Sequence, residues 1–386
     1  MFLTPRQNEW QKLVASFAEK EVKPVSKAFE ESSQFPLDLM KRMGELKILG
    51  TPFSEDVGGA GRDTVSYALA VEEISKVWGS LGLSLAAHVS LGTNPIYFAG
   101  SPEQQKKYLP KLTHGEWLGS YGLTESQAGS DSGATQTTAE KKGNEYILKG
   151  TKVFTTTAGY ADTFIVTAMT DKTKGKHGIS AFILEKCFSG LIIGKKEDKM
   201  GLRASDTGTL ILDECKVPKE NILGKVGEGF KIFMKTLDGG RISIGAMALG
   251  MAQGVLEELV KWLKEKGFDR EFMRGGQIKC ATMADLATQI YAARQLIWLA
   301  ASKKDRSEKY TKYSAMAKYY ASEVCTRVCS TAIDIMGLEA ATKKCHVEQV
   351  YRDTKLCQIG EGTSEIQRIV IAREIFQEME ELVPIC

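Results

Sequence analysis

The strongest constraint on how this chain folds is a change of hydrophobic period that happens twice. Up to about residue 115 apolar residues recur at helical spacing, with Trp10, Leu13 and Phe17 on one stripe and Val71, Ile74 and Val77 on another. From about Trp117 to Val226 that period is gone. Runs such as Thr163-Phe-Ile-Val-Thr-Ala168, Ile179-Ser-Ala-Phe-Ile-Leu184 and Thr209-Leu-Ile-Leu212 are rich in β-branched and aromatic residues and stand between Gly, Asp and Lys clusters, the pattern of strands joined by turns. After Gly229 the helical period returns, first through Met247, Met251, Val255, Leu259 and Trp262, then through Leu286, Ile290, Ala293 and Ile297. Helices of that length pack as a bundle. The expected class is α+β and mainly α: an N-terminal helical domain over 1–116, a central antiparallel β domain over 117–226 and a C-terminal four-helix bundle over 227–386. The stripes are core-packing features and carry no chemistry.

Composition narrows the function by exclusion. At 386 residues and 43% hydrophobic, the chain has ample apolar surface for cooperating domains. Its 51 basic and 48 acidic residues are spread without a one-sided run, so no nucleic-acid partner is expected. No apolar stretch reaches the length of a membrane span. The polar start, Met1 to Trp10, has neither a secretory core nor an Arg-rich leader. Eight cysteines without a CxxC pair and four histidines off zinc spacing point to reduced thiols in a cytoplasmic protein and to no metal site. Cys325 and Cys329 lie one helical turn apart, which alone is no metal site.

A nicotinamide-type dinucleotide fold needs GxGxxG between a strand and a helix, and a P-loop needs its Gly-Lys-Ser/Thr signature; neither stands in this chain. Gly58-Gly-Ala-Gly61 lies among helices. Three other segments combine small, hydroxyl and charged residues where a loop could close on a ligand: Tyr121-Gly-Leu-Thr-Glu-Ser-Gln-Ala-Gly-Ser-Asp131, Lys199-Met-Gly-Leu-Arg-Ala-Ser-Asp-Thr207, and Arg352-Asp353 followed by Glu361-Gly-Thr-Ser-Glu-Ile-Gln367. Each alone reads more simply as a solvated turn.

Taken in this order on a helix–β–helix plan, with Lys152-Val-Phe-Thr-Thr-Thr157 and Leu237-Asp-Gly-Gly-Arg241 between them, the segments resemble the acyl-CoA dehydrogenase family over nearly the whole chain. The resemblance implies an FAD enzyme that dehydrogenates the α–β bond of an acyl-CoA thioester. The substrate lies between flavin and a glutamate that takes the α-proton, while the β-hydrogen leaves as hydride to flavin N5. That glutamate is Glu361. Members whose base has migrated carry it just before the arginine of the Leu237–Arg241 segment, and here that residue is Gly240. The thioester carbonyl is expected to accept hydrogen bonds from the Glu361 backbone N–H and a flavin ribityl hydroxyl. Burial should raise the carboxylate towards the operating pH, as a base that must later release its proton requires.

By the same resemblance Tyr121, Leu123 and Thr124 contact the flavin edge, Ser130 lines the CoA and flavin cleft, Phe154 and Thr156 stack on and hydrogen-bond to the ring, and Thr363 touches the flavin. Arg241 stands near the site mouth. Gly360, where a tyrosine is common, opens room for a branched, cyclic or aryl acyl group. The implied partners are an electron-transferring flavoprotein and further copies of the chain, most simply as a homotetramer. Two motifs depart from the family. In place of R-x-x-F-G stands Gly267-Phe-Asp-Arg-Glu-Phe-Met-Arg-Gly-Gly276, with Arg270 or Arg274 in reach of a phosphate. In place of Q-I-x-G-G-x-G stands Asp334-Ile-Met-Gly-Leu-Glu-Ala340, so an altered pocket for the ADP half of FAD is expected. Competing expectations are an acyl-CoA oxidase, usually longer beyond the segment that ends near Arg373, and a flavin- or CoA-binding protein without catalysis.

Overall fold

The structure is a computed structural model that describes residues 2–268 and 276–382. Helix α1 (Pro5–Phe17) begins in a reciprocal cap: Thr4 Oγ1 accepts from Gln7 N–H while Gln7 Oε1 accepts from Thr4 N–H, and Pro5 fills the first helical position. A π-helical turn at Ala18–Val22 leads into α2 (Lys23–Ser32), followed by α3 (Leu37–Glu45), α4 (Thr64–Val77) and α5 (Gly79–Ala86). A second π-helical segment, Ala87–Thr93, precedes α6 (Asn94–Ala99) and α7 (Pro102–Thr113), whose start repeats the cap with Ser101, Pro102 and Gln104. Gly58 and Gly61 take left-handed backbone angles in a tight turn before α4, and a Cβ at Gly59 would meet Phe53 O at 2.1 Å. Those glycines serve close packing and no phosphate loop.

The middle of the chain forms one sheet from β1 (Gly119–Gly122), β2 (Thr138–Lys142), β3 (Glu145–Thr156), β4 (Thr163–Met169), β5 (Ile179–Glu185), β6 (Leu191–Lys196), β7 (Thr207–Pro218) and β8 (Ile222–Leu223). The order is β6-β7-β3-β2-β4-β5-β8, with β1 also beside β4. Pairing is antiparallel as expected, except that β1 and the start of β2 run parallel to β4. Strands β4 and β5 are buried on both faces, which accounts for their unbroken apolar runs.

Five helices follow among the described residues: α8 (Gly229–Glu265), α9 (Gln277–Asp305), α10 (Thr311–Met336), α11 (His346–Ile359) and α12 (Ser364–Leu382). Helices α8, α9 and α10 pack on one another, α10 also carries α11 and α12, and α4 lies along α8. One apolar core runs through both helical regions, the sheet has a second, and a third joins α6 and α7 to β4 and β5. The sheet is pinned at β1 by His88, which accepts from Gly119 N–H through Nδ1 and meets Leu112 O through Nε2, each at 3.0 Å. Burial drives this imidazole down to about 4, so it stays neutral as a bridge. Among the described residues no helix is long and apolar enough to cross a membrane.

Candidate active site

Glu361 stands in the turn between α11 and α12, with φ 53° and Gly362 at φ 93°. The glycine adopts this left-handed region freely, whereas a residue with a Cβ gives up about 1–2 kcal/mol there. One face of α10 holds the turn in place. Lys318 Nζ donates to Gly362 O at 2.6 Å, Ser322 Oγ to Cys357 O at 2.9 Å, and Glu323 accepts from Ser364 Oγ at 2.7 Å and Gln358 Nε2 at 3.1 Å. From α12, buried Gln367 donates to Gly362 O at 2.9 Å and Glu361 O at 3.2 Å. Thr363 is spent on the next helix, where its Oγ1 accepts from Ile366 N–H.

Held this way, the carboxylate lies over α8 at a point where that helix has no side chain. A Cβ at Gly240 would stand 2.0 Å from Glu361 Oε2 and 3.3 Å from Leu91 Cδ2, the latter from the π-helical segment. Oε2 is buried and has no hydrogen-bond partner among the described residues. Burial raises this acid to about 7, against the opposing charges of Lys318 and then Arg241. Arg241 is itself buried, donates to Asp238 Oδ1 at 2.5 Å, and leaves its Nε without a partner. The Tyr121 hydroxyl is likewise buried, its phenol pushed up by burial and then by Glu361, with Thr236 opposing. Glu361 Oε2 and Arg241 Nε are among several buried polar atoms without a partner among the described residues, and each such atom costs about 1–3 kcal/mol unless a ligand supplies the missing hydrogen bond.

On the sheet, β1 lies near the bulge at the end of β3. The β3–β7 register slips between Lys152 and Thr155, and within the slip Phe154 takes φ 54° with its ring 65% exposed. Leu123, Thr124 and Thr156 lie half-buried beside it, tied by backbone: Val153 N–H donates to Thr124 O at 2.8 Å and Ser120 Oγ to Thr156 O at 2.5 Å. Beneath them Lys152 and Glu125 form a buried ion pair of 2.7 Å, and Lys152 also donates to Leu123 O. Burial lifts Glu125, but the charge and hydrogen bonds of Lys152 together with Thr135 and Thr137 outweigh it and hold the carboxyl at about 2. A large ring kept out of the core at backbone cost, flanked by half-buried hydroxyls and the buried phenol of Tyr121, fits a planar cofactor such as a flavin.

Other residues read from the sequence fall elsewhere. Ser130 is exposed on the loop after β1, apart from the buried cluster. A Cβ at Gly360 would face only Leu356 of its own helix. The Lys199–Thr207 segment and Arg352-Asp353 meet each other instead of a ligand: Asp353 accepts from Leu202 N–H at 2.5 Å, Arg352 Nη1 donates to Met200 O at 2.6 Å, and Glu30 accepts from Arg203 N–H at 2.7 Å. They weld the β6–β7 loop to α11 and α2. A cleft of about 1150 Å³ opens beside this weld, but its lining charges are largely paired, as in Lys23–Glu19 and Arg352–Glu348. In the altered ADP motif Leu338 is 87% exposed and Ala340 buried, while Glu339 accepts from Trp262 Nε1 and Lys266 Nζ. Arg270 and Arg274 lie outside the described residues.

Sequence reasoning missed Lys318 and Gln367, whose signal was a long polar side chain on a stripe of buried alanines and aliphatics. It also missed a relay from Tyr67 Oη through Ser90 and Ser243 to Gly240 O, with steps of 2.9, 3.0 and 2.9 Å. Nothing in spacing announces that relay, since its members come from three separated segments.

Comparison with known proteins agrees with this geometry. The family models "Acyl-CoA dehydrogenase, N-terminal domain", "middle domain" and "C-terminal domain" match residues 4–116, 120–215 and 227–376. The chain is 47% identical to the short-chain specific acyl-CoA dehydrogenase of Clostridium acetobutylicum, over 97% of this chain and 99% of that one. Its fold is shared with the butyryl-CoA dehydrogenase of Megasphaera elsdenii, at TM-score 0.94 and 41% identity over 97% and 99% of the two chains. A chain from a structure entitled for the electron transferring flavoprotein of Acidaminococcus fermentans matches at TM-score 0.94 and 46% identity, over 97% and 99%. The chain belongs to the acyl-CoA dehydrogenase family of oxidoreductases, enzymes that use FAD.

Proposed function

We propose that the chain dehydrogenates a short acyl-CoA thioester to its 2-enoyl-CoA, with Glu361 as the base for the α-proton and an electron-transferring flavoprotein as the onward acceptor. The observation that carries this reading is the buried Oε2 of Glu361, without a partner among the described residues, raised to about 7 and set against Gly240 of α8. An α-hydrogen of a thioester is a very weak acid. A base that removes it needs a dry setting, a fixed position and a pKa near the working pH. Glu361 has all three.

The bound flavin supplies the acceptor for the β-hydride. Phe154, Leu123, Thr124, Thr156 and Tyr121 are the residues that would hold it. The backbone N–H of Glu361 would donate to the thioester oxygen as charge develops there. Arg241, fixed by Asp238, sets the position of the mouth on α8. A short straight chain is favoured by the relatives' names and by Gly360, whose missing side chain frees space only towards Leu356. The Acidaminococcus match supports the flavoprotein partner. Exposed Ile369, Phe376 and Met379 along α12 support association of copies, most simply a tetramer.

The test is Glu361→Gln assayed with a panel of straight, branched and aryl acyl-CoAs and an artificial acceptor. Loss of turnover with FAD retained, and a preference for C4-length chains in the wild type, is the expected result. Substantial turnover in Glu361→Gln refutes the base, and a branched or aryl preference refutes the substrate assignment.

A further inference from the structure

We propose that Lys318 is a positioning residue for the Glu361 base, one that fixes the left-handed turn bearing the carboxylate and sets a buried positive charge at that turn. The inference rests on the reading of Glu361 as the base.

Lys318 sits on α10 among Ala315, Ala317 and Ala321, and like them it is fully buried. An ammonium in such a place costs several kcal/mol unless its charge is used. Its hydrogen bond goes to Gly362 O, and among the described residues it makes no salt bridge. A neutral donor could satisfy Gly362 O equally well, so the hydrogen bond does not account for the charge. The cations that act on Glu361 are Lys318 first and Arg241 second. Arg241 is already engaged by Asp238 at 2.5 Å, which leaves Lys318 as the uncommitted one.

The remaining groups do not substitute for it. Tyr121 on β1 and Tyr67 on α4 are phenols that burial pushes up, and both remain neutral. The Cys357 thiol of α11 is driven well up by burial and is neutral too. Glu323 on α10 is occupied by Ser364 and Gln358. Lys318 is itself lowered to about 8 by burial, with Arg241 lowering it further and the carboxylates of Glu361 and Glu323 opposing. The ammonium and the carboxylate therefore support each other's ionised forms across the turn.

Lys318→Gln keeps a donor for Gly362 O and removes only the charge, whereas Lys318→Met removes both. With FAD content checked by visible absorbance, Lys318→Gln is expected to move the acid limb of kcat/KM at least one pH unit upward. That is a loss of about tenfold or more below the limb, with recovery at alkaline pH. Lys318→Met should lose activity at every pH. A folded, flavin-loaded Lys318→Gln with the wild-type limb overturns the proposal. Should that variant not fold, Lys318→Arg decides: a limb that stays in place with the cation supports the proposal, and one that moves up overturns it. Glu361→Gln separates the two readings, because turnover surviving in it removes the base itself, while its loss beside an unmoved Lys318→Gln limb removes only Lys318.

Discussion

Gly240→Ala is a sharp test of where the base stands. A Cβ there would lie 2.0 Å from Glu361 Oε2, whereas non-bonded heavy atoms settle at roughly 3.5 Å. The carboxylate must retreat by about 1.5 Å. A displacement of about 1 Å in a reacting group costs on the order of 100-fold, or about 2.7 kcal/mol of barrier. Stability should behave differently, because the obstacle is the free end of a side chain and α8 gains about 0.5–1 kcal/mol from alanine in its interior. Part of that gain is returned at Leu91, whose Cδ2 is 3.3 Å from the new methyl. We therefore expect kcat to fall about 100-fold while FAD content and melting temperature stay near wild type.

Steady-state turnover with an artificial acceptor, flavin absorbance and a thermal melt measure all three. In a Glu361→Gln background the same change should cost no further activity, since the group it displaces is gone. A Gly240→Ala enzyme within threefold of wild-type kcat would falsify the placement of the carboxylate over α8. A large drop in melting temperature with loss of FAD would instead mean that the helix, not the side chain, gives way.

Other outcomes follow from the same structure. Glu361 is raised from an ordinary carboxylate value to about 7, so kcat/KM should fall as pH drops through that value. The same raised pKa favours the protonated acid in the fold, giving stability that is present below about 4.5 and lost as pH rises through 7; Glu361→Gln should thus raise the unfolding free energy at pH 8 by up to about 3 kcal/mol, and not at pH 4. Lys152→Met leaves Glu125 buried without its cation and should cost about 3–5 kcal/mol in urea unfolding, with the Leu123–Thr124 edge loosened and FAD more easily lost. If melt and flavin retention stay at wild-type values, the pair is ornamental. Phe154→Gly relieves a left-handed residue worth about 1 kcal/mol yet removes the exposed ring, so the apo protein should not be destabilised while flavin affinity drops, and unchanged affinity removes Phe154 from the flavin site.

The fold was legible because period survives in any one stretch of sequence. Trp10, Leu13 and Phe17, or Met247, Met251 and Val255, announce a buried helical face without reference to a partner. The strands read from Thr163 and Ile179 became β4 and β5 because burial on both faces leaves an unbroken apolar run. The run at Thr209–Leu212 became part of β7, whereas the long β3 was not read, since its alternation is interrupted by the bulge at Lys152–Thr155. The parallel run of β1 against β4 is a tertiary fact and leaves no local trace.

Site residues divide by the same rule. Glu361 and the Tyr121–Thr124 edge were readable in motifs, yet so were Lys199–Thr207 and Arg352-Asp353, which the structure turns into a joint between loop and helix. A motif reports that positions are constrained, and buried hydrogen bonding constrains a residue as tightly as ligand contact does. What separates the two is satisfaction: Asp353 and Arg352 have their partners, while Glu361 Oε2 and Arg241 Nε have none among the described residues. Gly240 shows the limit most plainly. In the sequence it was an absence, a place where no acid stood. In space it is where the acid of the turn between α11 and α12 rests, and any side chain there would push that carboxylate aside.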